Sequence, residues 1–556
     1  MNFCNILNIN TSYIMKYSFL KYIAPAAFLA VLTLGGMTSC NEDLDLSIKD
    51  PQTNTTFDSK GLLAKIYGNL HLTGVSGPSG NADMAQFDEG NSSFHRRIFE
   101  AEELCSDECI WTWQGDAGIP ELTNISWNSS HGYNELTYYR IMYNITLCNF
   151  FLDQTEGTSD AKMLQERAEV RFIRALHYYY FIDLYGKAPY KLHYNDELPT
   201  EISRADCFNF VVSELKSIIG EENPVEGEIL IDQANTKTDY GRANKVAAKL
   251  LLARLYLNAQ VYTGKAQWAE AKKYAEEVIA SNAYGLCIEP KNGKSAYEQL
   301  FMGDNGENEN ARKEIIFPIR SDGNTSRSYG ASTYCIASCT GEGTPEQGIA
   351  KSQWTCNRAR ISLVKKFFDN VDDVPISENM QEVIRAAGDD RAMLFSGGGR
   401  TVSTEEKTTF RSGLAILKWT NDRCDGTTPN DVTFPDTDVP FFRMGEAYLT
   451  LAEAEYRLGE ASALTNINIL RSRANAKPLT SLSEQDIIDE WCREFYFEGR
   501  RRSDLIRFGL FTSGAYVWDW KGGSFDGNGV QEIYNLYPIP ANELSGNPNI
   551  TQNPGY

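Results

Sequence analysis

Apolar residues recur every three or four positions through much of this chain, the period of a helix that buries one face. The strongest run lies within residues 165–185, where Ala168, Phe172, Ala175, Tyr179 and Ile182 share a face; Gly186 ends it and Pro189 prevents its continuation. A second helix is expected at 134–151, with Tyr138, Ile141, Ile145 and Cys148 on one side, and a short one at 62–72. Two helix pairs repeat a plan. Residues 243–260 carry Val246, Leu250, Ala253 and Leu257, turn at Gly264, and continue with Trp268, Ala271, Ala275 and Val278. Residues 445–458 carry Tyr448, Leu451 and Ala454, turn at Gly459, and pair with 462–474. Such antiparallel pairs with small residues at the contacts resemble tetratricopeptide repeats, although their spacing is irregular. A further helix at 484–499 takes Ser483 as N-cap and ends on Arg500-Arg501-Arg502, a basic run suited to a helix C-terminus.

Strand patterns are few and short: 314–319 and 415–419. Residues 321–360 and 396–440 are irregular, with Tyr329, Tyr334 and Trp354 set among Gly, Ser, Thr and Asn. The expected class is mostly α, a scaffold of tetratricopeptide-like helical pairs with a few short strands.

One stretch breaks the pattern. Trp111 and Trp113 stand two residues apart in Cys109-Ile110-Trp111-Thr112-Trp113-Gln114-Gly115-Asp116, followed by a glycine-bearing loop that Pro120 closes. In extended chain the two rings point to one side and make a flat apolar platform. Glu102, Glu103, Asp107 and Glu108 precede them, poor company for a core strand. The pattern fits two readings, core or exposed platform.

Residues 1–39 read as a secretory signal rather than fold, with a better start at Met15. Lys16 and Lys21 are followed by an apolar run over 23–34, too short for a membrane span. Met37-Thr38-Ser39-Cys40 resembles a bacterial lipobox, which makes Cys40 the expected lipidation site and 40–55 a lipidated tether. The acidic Asn41-Glu42-Asp43-Leu44-Asp45 resembles a tag that sends bacterial lipoproteins to the cell surface. An acyl anchor tethers without spanning.

A formal net charge of −21 argues against nucleic acid as a partner, because such a surface repels phosphate. Five histidines in 556 residues leave little for histidine catalysis or metal sites. Beyond Cys4 and Cys40 ten cysteines remain, and Cys105/Cys109 and Cys335/Cys339 are spaced so that zinc, disulfides or buried free thiols all fit. Asn292-Gly293-Lys294-Ser295 is no P-loop, since Ile288 stands where its first glycine belongs. There is neither a Gly-x-Ser-x-Gly elbow nor a His-Glu-x-x-His motif. Carboxylates are plentiful, but nothing selects a glycosidase pair. Two turns are rich in oxygen ligands of the kind hard cations take: 304–310 and Asp436-Thr437-Asp438.

Several stretches converge on one family. Ala168-Glu169-Val170-Arg171-Phe172-Ile173-Arg174-Ala175-Leu176-His177-Tyr178-Tyr179-Tyr180-Phe181 with Leu184-Tyr185-Gly186-Lys187-Ala188-Pro189 is one, and Gly241-Arg242-Ala243 with Leu251-Leu252-Ala253-Arg254-Leu255-Tyr256 another. Glu494-Phe495-Tyr496-Phe497-Glu498-Gly499-Arg500-Arg501 and the close Tyr537-Pro538-Ile539-Pro540 to Asn553-Pro554-Gly555-Tyr556 complete the set. From Cys40 onward the chain resembles the SusD/RagB family of surface glycan-binding lipoproteins, and within it the starch-binding member.

The resemblance implies one domain over 56–556. Its helical scaffold would lie within about 134–281 and 440–500, and its irregular ligand face within 80–130 and 300–440. It implies no catalysis, and an aromatic arc in which Trp111 and Trp113 are exposed sugar platforms, completed by Tyr329 and Trp354, with Arg96 as donor. Asp116 stands where the family's starch binder has an asparagine, and a carboxylate cannot donate a hydrogen bond. The implied ligand is starch or maltooligosaccharide, passed to a SusC-like TonB-dependent β-barrel in the outer membrane that this protein would lid. Other surface glycan-binding lipoproteins are expected beside it. A structural Ca2+ is implied at Asp436 and Asp438, with the loop carboxylate replaced by Gly306. The same scaffold tuned to another glycan, or a peptide-binding adaptor, are the rival readings.

Overall fold

The computed structural model describes residues 57–75, 77–78, 80–84 and 89–556. The expected signal segment and the expected tether with Cys40 lie outside them. The apolar period becomes helix where it predicts helix. Asp160 caps Ala161–Leu184 by accepting from the Met163 N–H, and Gly186 adopts a left-handed φ of 68° just past its end. This helix is buried all round from Ala168 onward, as expected of one that is apolar beyond a single stripe.

Seven helices pack in an unbroken series. Gly132–Gln154 lies on Ala161–Leu184, which lies on Arg204–Ile219; Lys245–Leu257, Trp268–Ile279, Met444–Leu458 and Ser462–Arg473 follow in turn. Fully buried alanines at 271, 275, 447 and 454 let the two middle members approach closely. Between those members the chain leaves the scaffold and returns. Antiparallel pairing of Ile315–Ile319 with Val439–Arg443 closes the excursion at its base. Three more two-stranded ribbons are present: Cys109–Trp111 with Asn357–Ala359, Lys187–Tyr190 with Thr200–Ser203, and Leu394–Phe395 with Ala415–Ile416. No described helix is long and apolar enough to cross a membrane. All ten described cysteines are buried free thiols, so neither C-x3-C pair is bridged.

The basic triplet does not end a helix. Glu484–Phe495 stops early, Phe497 takes a positive φ of 60°, and Arg501–Arg507 starts a new helix with Arg500 as its N-cap. Cations at a helix N-terminus oppose the dipole, so another force must hold them. It comes from the acidic run before the tryptophans, which is buried rather than solvated. Glu102, Glu103, Asp107 and Glu108 are each almost wholly inaccessible. Arg501 grips Asp107 through both carboxylate oxygens, at 2.7 and 2.9 Å. Burial alone would raise the Asp107 pKa, but the Arg501 guanidinium outweighs it and holds the group well below the usual carboxylate range. Glu103 Oε1 accepts from the backbone N–H groups of Gly499 and Arg500, and Glu108 Oε2 from that of Phe497.

Glu102 behaves oppositely to Asp107. Burial, and then the neighbouring Asp183 carboxylate, push its pKa up to about 8. A raised folded pKa means that the fold prefers the protonated form. Its stabilising contribution is complete below the ordinary carboxylate pKa and is lost as pH rises toward 8. Melting temperature is therefore expected to fall between pH 5 and 8, and Glu102→Gln should flatten that fall. An unchanged slope in the variant would refute the assignment.

Candidate functional site

The site is assembled by a pairing of very distant segments. Cys109–Trp111 runs antiparallel to Asn357–Ala359, with Trp111 opposite Asn357, and the Thr112 N–H extends the ladder to the Cys356 carbonyl at 2.8 Å. Trp354 therefore arrives beside the tryptophan pair. From the other side Gly330 passes against Ser93, the N-cap of Phe94–Glu103. A Cβ at position 330 would lie 1.8 Å from Ser93 Oγ, so only glycine allows this approach. The contact sets Tyr329 and the Ala331–Ala337 helix over Arg96.

The rings form a continuous series. Trp113 meets Trp111 at 5.9 Å, and Trp111 stacks on Tyr334 at 5.9 Å with planes 9° apart. Tyr334 meets Trp354 at 6.3 Å, Trp354 meets Tyr329 at 6.0 Å, and Tyr329 meets Phe434 at 5.5 Å. Trp354 and Tyr329 are half-buried.

The tryptophan pair is not the flat exposed platform expected of it. Its planes cross at 85°; Trp113 is 45% exposed and Trp111 only 3%. Trp111 lies within the strand and is pinned between Tyr334 and Trp113. The chain turns after Thr112, where the Gln114 N–H bonds back to the Thr112 carbonyl at 2.8 Å, so the two-residue alternation is lost before Trp113. Trp111 thus supports the surface from below, and its indole N–H finds no acceptor among the described residues. Tyr334, fully buried, is the support that sequence reasoning missed; nothing around it distinguishes it from any other loop tyrosine.

Arg96 lies behind the rings. Its guanidinium sits 4.8 Å from the Tyr334 centroid and 5.6 Å from that of Trp354. Nε donates to Glu100 at 2.7 Å, and Nη1 to the carbonyls of Gly90 at 2.8 Å and Tyr329 at 3.4 Å. Burial works against its charge, but Glu100 prevails and raises its pKa. Nη2 makes no hydrogen bond to the described residues. Asp116 sits in the turn after Trp113, its N–H bonded to the Trp113 carbonyl at 3.1 Å, while its carboxylate accepts from none of the described residues. The six predicted ligand residues are thus brought to one place. Rings plus a fixed donor can stack on the apolar face of a sugar and hydrogen-bond its hydroxyls.

Residues 390–556 match the SusD family model, and residues 44–257 match a family described as starch-binding and associating with the outer membrane. The starch-binding protein SusD of Bacteroides thetaiotaomicron is 46% identical over 98% of this chain and 100% of its own. The chain belongs to the SusD family. Solved structures agree on the fold. A SusD-like carbohydrate-binding protein from Bacteroides fragilis superposes with a TM-score of 0.66 at 19% identity, over 89% of this chain and 98% of its own. Surface glycan-binding protein A from B. thetaiotaomicron, solved with laminarihexaose, gives 0.63 at 18% identity, over 89% and 98%.

The calcium that the SusD resemblance implies does not fit the residues present. Asp438 Oδ1 accepts from the Ser321 N–H at 2.7 Å, and Oδ2 faces Arg320 Nε at 3.3 Å. Both Asp436 oxygens accept from Asn430, each at 3.0 Å. At position 306 a Cβ would lie 2.4 Å from Asp438 Oδ2, so a side chain there would require Asp438 to shift. Among the described residues no three His, Cys, Asp or Glu side chains are arranged to hold one metal ion, whereas calcium takes six to eight oxygens. Gly306, Asp436 and Asp438 thus lie together in a hydrogen-bonded turn.

Proposed function

We propose that this protein is a non-catalytic surface lipoprotein that binds starch-type α-1,4-glucan. It stacks sugar rings on Trp113, Trp354 and Tyr329, and Arg96 donates to their hydroxyls. The observation that carries the reading is the half-buried ring series with the Arg96 guanidinium behind it, on a chain 46% identical to a starch-binding protein. Each stack adds about 1 kcal/mol beyond area burial, so single sites are weak and many copies on one surface supply avidity. Lipidation at Cys40 tethers it to the outer membrane, where it hands maltooligosaccharide to a SusC-like TonB-dependent transporter. The absence of any catalytic motif supports binding without hydrolysis.

Native electrophoresis in gels containing amylopectin, pullulan, dextran or a β-glucan tests this. Retardation is expected in amylopectin and pullulan alone, without release of reducing sugar. Retardation only by the β-glucan would favour a site retuned to another glycan, for which the non-donating Asp116 is the structural motive.

A further inference from the structure

The turn around Asp436 and Asp438 is heavily acidic, and something must offset that charge. Asp304, Glu307, Asp425, Asp436 and Asp438 converge there from two segments. Asp304 is neutralised locally: its carboxylate accepts from the N–H groups of Cys424 and Asp425 at 2.8 and 3.1 Å. The others meet two guanidinium groups. Arg423 reaches Glu307 at 2.5 Å, Asp425 at 3.2 Å and Asp436 at 3.7 Å. Arg320 faces Asp438, lies 4.9 Å over the Tyr240 ring, and donates from Nη1 to the Tyr240 carbonyl at 3.2 Å.

Two guanidinium groups carry together the charge of one calcium ion. They sit on different segments: Arg423 ties the 302–308 loop to the 422–438 turn, and Arg320 ties Tyr240 and the end of the Ile315–Ile319 strand to Asp438. The Asn305 side chain joins the same parts: its Nδ2 donates to the Asp438 carbonyl at 2.8 Å, and the Asp438 N–H donates to its Oδ1 at 3.0 Å. We propose that Arg320 and Arg423 act as built-in cations in place of a metal, so that this turn is held closed without calcium. Gly306 is part of the device, because a carboxylate-bearing side chain at that position would collide with Asp438 and with Tyr240, whose ring lies 2.9 Å from the would-be Cβ. The consequence reaches the ligand face. Phe434, at the start of the turn, packs on Tyr329, so the same clamp steadies one end of the ring series.

Thermal unfolding of the full chain in CaCl2 and in EGTA tests the proposal, together with calorimetric titration of CaCl2 into chelator-treated protein. The two melting curves should coincide and the titration should show no saturable heat. A ligand that binds only the folded state must raise its melting temperature. Arg320→Gln and Arg423→Gln should each lower the melting temperature by about 2 °C, equally with and without calcium. Stabilisation of the wild type by calcium, or saturable binding, would overturn the proposal. So would unchanged melting temperatures in both variants. If one variant fails to fold, the wild-type titration and the other variant still decide.

Discussion

Trp113→Ala and Trp354→Ala should each weaken binding to maltooligosaccharide by about tenfold or more, roughly 1.4 kcal/mol, with little change in stability. Trp113 is the most open ring of the series, and its removal leaves no core cavity. Its effect on folding should stay within about 0.5 kcal/mol. Trp111→Ala should do the reverse. That indole is enclosed by Trp113, Tyr334 and the strand pair, so its loss opens a cavity and should destabilise by about 3–5 kcal/mol. Isothermal titration with a maltooligosaccharide, set beside denaturant unfolding, separates the two. If Trp113→Ala and Trp354→Ala bind as the wild type does, the ring series is not the sugar site. If Trp111→Ala is as stable as the wild type, its assignment as support is wrong.

Arg501→Met should be among the most destabilising single changes in the chain, at about 3–5 kcal/mol. Both ends of the Arg501–Asp107 pair are inaccessible, and Tyr516 adds a 2.6 Å hydrogen bond to the same carboxylate. Methionine fills much of the arginine's volume but leaves Asp107 charged and unpaired in the interior. Loss of one partner from a buried pair is costly because the survivor keeps its desolvation penalty. Asp107 lies just before Cys109–Trp111, and Arg501 just past the Glu484–Phe495 helix. The pair therefore fastens the ligand strand to a helix hundreds of residues later. Urea unfolding measures the loss. Replacing both partners, as in Asp107→Leu with Arg501→Met, should recover part of it; a double variant no better than the single one would contradict this account.

The helical scaffold was legible because helix period is a local property. Ala168, Phe172, Ala175, Tyr179 and Ile182 announce a buried helix without knowledge of what buries it, and Gly186 with Pro189 announces where it stops. Charge was read less well, because a charged residue has no local signature of burial. Glu102, Glu103, Asp107 and Glu108 looked solvated, and the Arg500-Arg501-Arg502 triplet looked like a helix end, until the fold set the two runs face to face. The ligand residues themselves were legible through family resemblance, but their geometry was not. Two tryptophans at i and i+2 share a face only while the strand continues, and here it stops at Trp111.

By itself, then, the sequence determined the mostly helical class and the helix pairs and their ends, while the site's aromatic and arginine residues came through the family resemblance. Each rests on periodicity, capping chemistry or motif identity within a short window. Tertiary structure alone decided which tryptophan faces solvent, that Tyr334 lies beneath it, that the acidic run is core, and that Arg320 and Arg423 occupy the surroundings of the expected calcium. Those depend on contacts between residues more than a hundred positions apart, such as Trp111 with Tyr334 and Arg320 with Asp438.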